Sequence, residues 1–310
     1  MNGWHETKHV CTIQHVQLSW EHINWTQIKH EVENLQQKIF RETQIGNFRT
    51  VNQLQKLLVR SFSARRLAVR IITEINQGRN TPGINGKLYK TANEKEKLVE
   101  SLKFKDYIPN PVRTVWIPKP NGDKRKLGIP TIRDRVMQSL CLLAMDPEWE
   151  AKFEPHSFGF RPGRSALDTV HHIYSTLIHQ KGRRPHPGWI LDADISKCFD
   201  NIDHEALLAK IKGSPFQKTI KTWLKVGTVS KIGFERTTKG TPQGGAISPL
   251  LANIALDGLE RQFGIYTRTG NYKSPAHRSG LDKDVALFRY ADDFIILAPS
   301  KESLIQLYSP

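Results

Sequence analysis

Two adjacent carboxylates, Asp292 and Asp293, interrupt an otherwise apolar stretch at residues 288–297, FRYADDFIIL. Each flanking run is short enough for a strand, so the acids are expected in the turn of a hairpin whose arms enter a sheet. Neighbouring acids repel each other and lose hydration near a core, so stability alone is a poor reason for them. A divalent cation resolves the repulsion. A second acidic segment, GWILDAD at residues 188–194, reads as a short strand ending in acid. Side-chain alternation puts Asp192 and Asp194 on one face and Leu191, Ala193 and Ile195 on the other. Alone, that segment is an ordinary exposed strand end; beside the 292–293 pair it becomes a candidate metal ligand.

Charge sets the partner class. Lys and Arg total 46 against 30 Asp and Glu, a net charge of +16. Such an excess predicts a polyanionic partner, nucleic acid first and an acidic membrane surface second. A chain of 310 residues with 38% hydrophobic and 25% charged side chains supports a packed core in one large or two ordinary domains, which disfavours wholesale disorder. No apolar run approaches ~18 residues, so no membrane span is expected. Cys11, Cys141 and Cys198 lie far apart without a CxxC pair, which argues against a zinc ribbon or disulfide scaffold and for a reducing compartment. His5, His9, Cys11 and His15 are close in sequence, but structural zinc usually uses cysteine pairs, so the first twenty residues read as a loose extension. That N-terminus lacks both a signal-peptide core and the Arg-rich character of a transit peptide.

Along the chain, residues 25–75 read as helix, with Ile28, Val32, Leu35 and Ile39 repeating at helical spacing. Lys56, Arg60, Arg65, Arg66 and Arg70 form either a solvated basic face or an RNA contact; Arg65 and Arg66 are the expected RNA-binding residues. Residues 77–87 are turn-rich, and helix resumes over 93–104. Residues 112–117 alternate as a strand, NGD marks a hairpin turn, and 125–129 form the return strand. Seven basic residues crowd positions 113–135, enough to reach over a phosphate chain. An ordinary charged edge hairpin has the same appearance. Helices are expected over 133–152, 165–179, from Asp203 as N-cap to 211, and over 248–263. A helix and hairpin are expected within 215–238, and loops at 157–164 (SFGFRPGR), 181–188 and 264–284.

Transfer of a phosphoryl group depends mostly on positioning and charge neutralisation. Two Mg²⁺ ions, each taking one or two carboxylates, can activate a 3′-hydroxyl and stabilise leaving pyrophosphate when held roughly 3.5–4 Å apart. Asp194 and Asp292 are the candidates to bridge them, with Asp293 as a third ligand. Lys119 and Arg125 of the basic hairpin, with Lys124 and Lys126 as further donors, suit a triphosphate. The glycine-rich GTPQGGAISP at 240–249 allows close backbone approach, and Gln243 can donate and accept hydrogen bonds there. Phe199 could stack against a deoxyribose and exclude a 2′-hydroxyl, although from spacing alone it reads as a core phenylalanine.

The ordered series RTVWIPKPNGDKRKLGIP, SFGFRPGRSALDTV, WILDADISKCFDNIDHEALL, GTPQGGAISPLLANIALDGLE and FRYADDFIIL resembles a group II intron-encoded reverse transcriptase/maturase. The segment from SFSARRLAVR to TPGINGK resembles that family's extra N-terminal block, and SWEHINWTQIKHEV its N-terminal extension. The likeness covers about residues 18–300. It implies an α+β fold: right-hand polymerase fingers and palm, an antiparallel palm sheet packed by helices, and a helical N-terminal extension. The implied division is an extension at 1–24, a helical part of the fingers at 25–110, fingers with the basic hairpin at 111–187 and an incomplete palm at 188–310.

It also implies roles. Asp194, Asp292 and Asp293 match the catalytic metal ligands for two Mg²⁺. Phe199 matches the sugar-sensing aromatic, Gln243 the glutamine beside the incoming nucleotide, and Lys119 and Arg125 the triphosphate contacts. Arg161 falls in the GFRPGR loop, a template and structural element, and Lys124 joins it as a template contact. The implied partners are intron RNA, an RNA template with a DNA primer, and dNTPs. The implied compartment is bacterial cytoplasm, with plastid or mitochondrion as alternatives.

Two departures stand out. Family members continue past the YADD hairpin into further palm strands with a lysine suited to protonate pyrophosphate, a primer grip, a thumb and often DNA-binding and endonuclease domains. None is read in these 310 residues, so the expectation is a weak polymerase or none, with residues 294–297 left at an unpaired edge under uncovered apolar surface. Asn85 stands where many relatives carry Asp. Competing readings are a non-enzymatic splicing maturase or decayed fragment, and a reverse transcriptase of retron, diversity-generating or defence type.

Overall fold

In the computed structural model, residues 20–118, 122–179, 188–262 and 285–308 are described. The His5/His9/Cys11/His15 group, Lys119, residues 181–187 of the expected 181–188 loop and all of the expected 264–284 loop lie outside these residues.

The helical stretch expected over 25–75 is three helices, α1 (Trp25–Gln44), α2 (Phe48–Arg60) and α3 (Phe62–Arg70), followed by a π-turn at Ile71–Ile75. Local chemistry sets the breaks. Gly46 takes φ +75° after α1, Asn47 caps the start of α2, and the Ser61 hydroxyl accepts from the Ala64 amide at the start of α3. Helix α4 (Ala92–Ser101) starts with a capping box between Thr91 and Glu94. The basic hairpin is β1 (Val112–Pro118) and β2 (Lys124–Ile129), paired antiparallel from Arg113↔Ile129 to Pro118↔Lys124. Helix α5 (Ile132–Glu150) follows. Val136, Met137, Leu140, Cys141, Ala144 and Met145 bury several of its faces, so it forms the axis against which α1, α2 and α3 pack.

After α6 (Ala166–His179) come β3 (Trp189–Asp194), the short α7 (Cys198–Asn201), α8 (His204–Lys210) and α9 (Gln217–Lys225). Asp203 caps α8 as expected, accepting from the Ala206 amide at 2.7 Å. The hairpin expected within 215–238 is β4 (Thr228–Ser230) and β5 (Gly233–Glu235). It does not stand alone: β4 adds in parallel to β1, making a four-stranded sheet of order β2-β1-β4-β5. The helix expected over 248–263 is two pieces, α10 (Ser248–Leu256) and α11 (Leu259–Gln262), separated at Gly258 with φ +111°.

The second sheet is antiparallel throughout, order β3-β7-β6, from β6 (Ala286–Tyr290) and β7 (Asp293–Ala298). It overturns the expected unpaired edge at residues 294–297. That segment lies in the central strand, bonded to β3 on one side and β6 on the other. The outer edge of β6 is met by a short bridge between Ser157 and Arg289. One face packs Phe288, Ile295 and Leu297 against Phe158 and, on α6, Ile173 and Leu177. On the other, Leu287 and Ile296 pack with Leu304 of a final helix α12 (Lys301–Tyr308), which supplies the cover the sequence reading lacked. No helix among the described residues is long and apolar enough to cross a membrane.

Candidate active site

The register of the second sheet builds the site. Asp194, the last residue of β3, lies directly opposite Asp293, the first residue of β7, and Tyr290 lies opposite Asp293 from the other side. Residues opposite one another in a ladder point to the same face, so both carboxylates emerge from one end of the sheet. Asp192 shares that face two residues earlier. The 292–293 pair is divided: Asp292 stays in the turn while Asp293 enters the strand. The Ile195 amide donates to the Asp292 carbonyl at 3.2 Å, tying the end of β3 to the turn. Burial first, then repulsion from Asp292, Asp194 and Asp192, raises the Asp293 carboxyl above its ordinary range.

Strained backbone gathers here. Ala291 is held at φ +59°, Phe160 at +59° and Lys197 at +52°, a left-handed region unfavourable for side chains with a Cβ. The Ala291 conformation has visible supports. Arg289, 1% exposed, donates to the Ala291 carbonyl at 2.9 Å, to Asn253 Oδ1 at 3.1 Å and to Ser157 Oγ at 2.6 Å. Asn253 in turn donates to the Gly159 carbonyl at 2.8 Å. Gly159 lies so close beneath the turn that a Cβ there would fall 2.3 Å from the Ala291 nitrogen. Sequence reasoning passed over Arg289, Asn253, Ser157 and Gly159. The first two carry a legible signal, being polar residues inside the apolar runs ALFRY and SPLLANIAL.

Phe199 is half-buried, packs against the main core and meets Phe160 edge-on, ring centroids 6.1 Å apart. Phe160 is 52% exposed, a second aromatic that the sequence reading did not single out. Arg125 and Gln243 come together from distant segments, the Arg125 Nε donating to Gln243 Oε1 at 2.6 Å. The glycines after Gln243 have a different use from the one expected. A Cβ on Gly244 would lie 2.5 Å from the Gly128 carbonyl, and one on Gly245 2.7 Å from the Ser248 hydroxyl, so these glycines press the loop onto β2 and α10. The Ala246 amide donates to buried Gln138 on α5 at 2.8 Å, fixing that loop to the core axis.

The remaining expected contacts divide. Lys124 is exposed on β2. Arg65 borders a basic cleft with Lys56, Arg60, Lys103 and Lys105, whereas Arg66 is engaged with Glu96 at 3.2 Å. Arg161 has the structural part of its expected role. It is buried, grips Glu150 through two nitrogens at 2.8 and 2.6 Å, and donates to the carbonyls of Glu154 and Ser157 at 2.7 and 2.6 Å. A template cannot reach a guanidinium so occupied.

The donor set at the sheet end fits a hard divalent cation: carboxylate oxygens of like charge, one of them with a raised pKa. Among the described residues no three acidic, His or Cys side chains enclose a metal site by themselves. Mg²⁺ is commonly held by one or two carboxylates, with water and substrate phosphate completing its shell, so an open carboxylate end suits it better than a closed cage.

A family model described as "Reverse transcriptase (RNA-dependent DNA polymerase)" matches residues 117–309, and one described as "N-terminal domain of reverse transcriptase" matches residues 20–102. Protein YkfC of Escherichia coli (strain K12) is 33% identical over 268 residues, 76% of this chain and 68% of its own length. Group II intron-encoded protein LtrA of Lactococcus lactis subsp. cremoris is 38% identical over 193 residues, 60% of this chain but 31% of LtrA. An uncharacterized 91 kDa protein in the cob intron of Schizosaccharomyces pombe is 34% identical over 187 residues, 59% of this chain and 22% of that protein. The matched region is thus under a third of the two intron proteins.

Proposed function

The chain belongs to the reverse transcriptase family, in its group II intron-encoded branch, and from that premise we propose that it carries the nucleotidyl-transfer site of an RNA-directed DNA polymerase. The observation that carries this reading is the Asp194–Asp293 register pair with Asp292 beside it. In the proposed division, residues 25–110 and 111–187 make up the fingers and 188–310 part of the palm. The substrates are an RNA template, a DNA primer and dNTPs, and the intron RNA is a binding partner. Its compartment is the bacterial cytoplasm, with plastid or mitochondrion as alternatives.

In this reading Asp194, Asp292 and Asp293 would hold two Mg²⁺ ions. When bound, these supply activation of the primer 3′-hydroxyl and neutralisation of charge on the pyrophosphate. The chain's own groups position the nucleotide. Arg125 offers a fixed cationic fork to phosphate oxygens and orients the Gln243 amide through their hydrogen bond. The Phe199 ring, supported by Phe160, stands against the sugar. Lys124 meets the template backbone.

Primer extension on an RNA template in Mg²⁺ tests the assignment: Asp292→Ala with Asp293→Ala should abolish it, and activity surviving that double change would eliminate the metal role. A direct readout of the same residues is thermal stability. Mg²⁺ should raise the melting temperature of the wild-type chain and not that of the double variant.

One observation favours a second role, splicing support by RNA binding. The cleft bordered by Lys56, Arg60, Arg65, Lys103 and Lys105 holds the partly buried Phe104 and is built by α2, α3, the segment after α4 and residues 215–216, with none of the three aspartates in its lining. Intron binding with a steep salt dependence, lost on neutralising these cations and indifferent to the aspartates, would establish it.

A further inference from the structure

His204, the first residue of α8, is 4% exposed and takes no part in the site described above. Its Nε2 lies 2.7 Å from the Gly240 carbonyl oxygen. A carbonyl only accepts, so Nε2 carries the hydrogen and Nδ1 is a bare lone pair. That Nδ1 is buried with no hydrogen-bond partner. Buried polar atoms nearly always find partners, so stability is a poor account of a ring that leaves one nitrogen unpaired. What the ring contributes is the single bond from its other nitrogen.

The place of that bond gives it a use. The Gly240 amide donates to the Ile202 carbonyl at 2.8 Å, and the Thr241 amide to the Phe199 carbonyl at 2.7 Å. A Cβ on Gly240, whose φ is +82°, would lie 2.7 Å from the carbonyl oxygens of both Phe199 and Asp200. The start of the glycine-rich loop is therefore seated on the backbone of α7, the turn that carries Phe199, and His204 closes the junction from α8. At Gln243 the loop is held from the other side. The Gly128 amide on β2 donates to the Gln243 carbonyl at 2.9 Å, and Arg125 to the Gln243 side chain. The Phe199 side and the Gln243 side of this loop thus have separate anchors.

We propose that His204 is a positioning residue for sugar selection: through the Gly240 carbonyl it holds the Phe199 turn and the Gln243 loop at a fixed spacing. The inference rests on the nucleotide site proposed above. Removing the bond frees the Phe199 side and leaves the Arg125–Gln243 contact in place. The contact with the sugar should then loosen more than the contact with the phosphates.

The test is equilibrium binding of a matching dNTP and of the corresponding rNTP, in Mg²⁺, to the full chain on an RNA template whose DNA primer ends in a dideoxynucleotide. Binding is read from a 2-aminopurine in the template, so no turnover is needed. A smaller folded fraction leaves the ratio of the two affinities unchanged, so lost stability alone does not move it. His204→Leu should lower that ratio by roughly 3–10-fold, through weaker exclusion of the rNTP. His204→Gln, which returns an amide N–H near the Nε2 position, should keep the wild-type ratio. His204→Asn is polar but too short to reach the carbonyl; it should match His204→Leu and replaces it if the apolar variant does not fold. Added to Phe199→Val, His204→Leu should change the ratio little, because it acts through that ring. A ratio that falls in Phe199→Val but holds in His204→Leu and His204→Asn overturns the positioning role and leaves the nucleotide site standing. An equal loss in His204→Gln, or full additivity with Phe199→Val, also overturns it. A wild-type chain that binds neither nucleotide, or both equally, removes the sugar-sensing reading and this proposal with it.

Discussion

Asp194 and Asp293 stand directly opposite each other across the β3–β7 ladder, two like charges in a position where opposite charges or apolar side chains would stabilise the sheet. Burial, then Asp292, Asp194 and Asp192, raises the Asp293 carboxyl, so ionising it opposes folding. The sign follows from linkage. An acid whose folded pKa lies above its unfolded value binds its proton more tightly when folded, and that stability is present at low pH and lost as pH rises through the folded pKa. Asp293→Asn should therefore stabilise the metal-free chain at neutral pH by about 0.2–1 kcal/mol in urea unfolding, and flatten its pH dependence. The same change should remove the Mg²⁺-induced rise in melting temperature. A destabilised Asp293→Asn chain would show that the cross-strand repulsion is relieved some other way.

The Ala291 turn depends on groups far from it in sequence. Arg289→Met would leave the Ala291 carbonyl, Asn253 and Ser157 without their shared donor in a buried place, a loss of about 3 kcal/mol in unfolding free energy. Gly159→Ala would drive a methyl into the Ala291 backbone. Overpacking of this kind should cost about 1–3 kcal/mol. The informative readout is Mg²⁺ affinity. A folded Gly159→Ala chain with a displaced turn should bind Mg²⁺ more weakly than wild type, and unchanged affinity would mean the turn tolerates the displacement.

What was legible in the sequence follows from range. The β1–β2 hairpin, the Asp203 cap, the strand ending at Asp194 and the hairpin around Asp292 depend on neighbours a few residues away, and alternation and turn residues exposed them, whereas Asp293, expected in the turn, enters the strand through its pairing with Asp194. The parallel addition of β4 to β1 was not legible, because Val112↔Thr228 pairing leaves no mark in either segment. The same holds for α12. Leu304 covers Ile296 only once the sheet exists, so a reading by segments left the 294–297 surface bare. Arg161 misled for a related reason. An arginine in a glycine-proline loop looks available to an anion, and only the tertiary approach of Glu150 shows its fork is already filled.

Asp146, on α5, gives a pH signature independent of the acidic sheet end. Burial, then repulsion from Glu150, pushes its carboxyl up to about 6, with Arg161 opposing the rise. Since 3.8 is its ordinary value, folding stability should be highest below about pH 4 as far as this group is concerned, fall between about 4 and 6, and level off above. Asp146→Asn should be more stable than wild type at pH 7.5 by about 1–2 kcal/mol, with a much smaller difference at pH 4. An equal difference at both pH values would assign the effect to packing rather than charge.

Phe199 and Phe160 extend the argument from stability to substrate choice. Their rings meet edge-on at 6.1 Å, and Phe160 is itself held by a left-handed backbone beside Gly159, which touches the Ala291 turn. The aromatic that would sense the sugar is thus braced by the same loop that supports the aspartates. Phe199→Val should reduce discrimination against ribonucleotides by roughly 10–100-fold in single-nucleotide incorporation, since a bulk contact of a few carbons is what is removed. Phe160→Ala should give a smaller reduction by freeing the Phe199 ring, and should add little once Phe199 is already Val, because the two act through one surface. Fully additive effects in that double variant would mean Phe160 meets the substrate on its own account, and an unchanged sugar preference in Phe160→Ala would remove the bracing role.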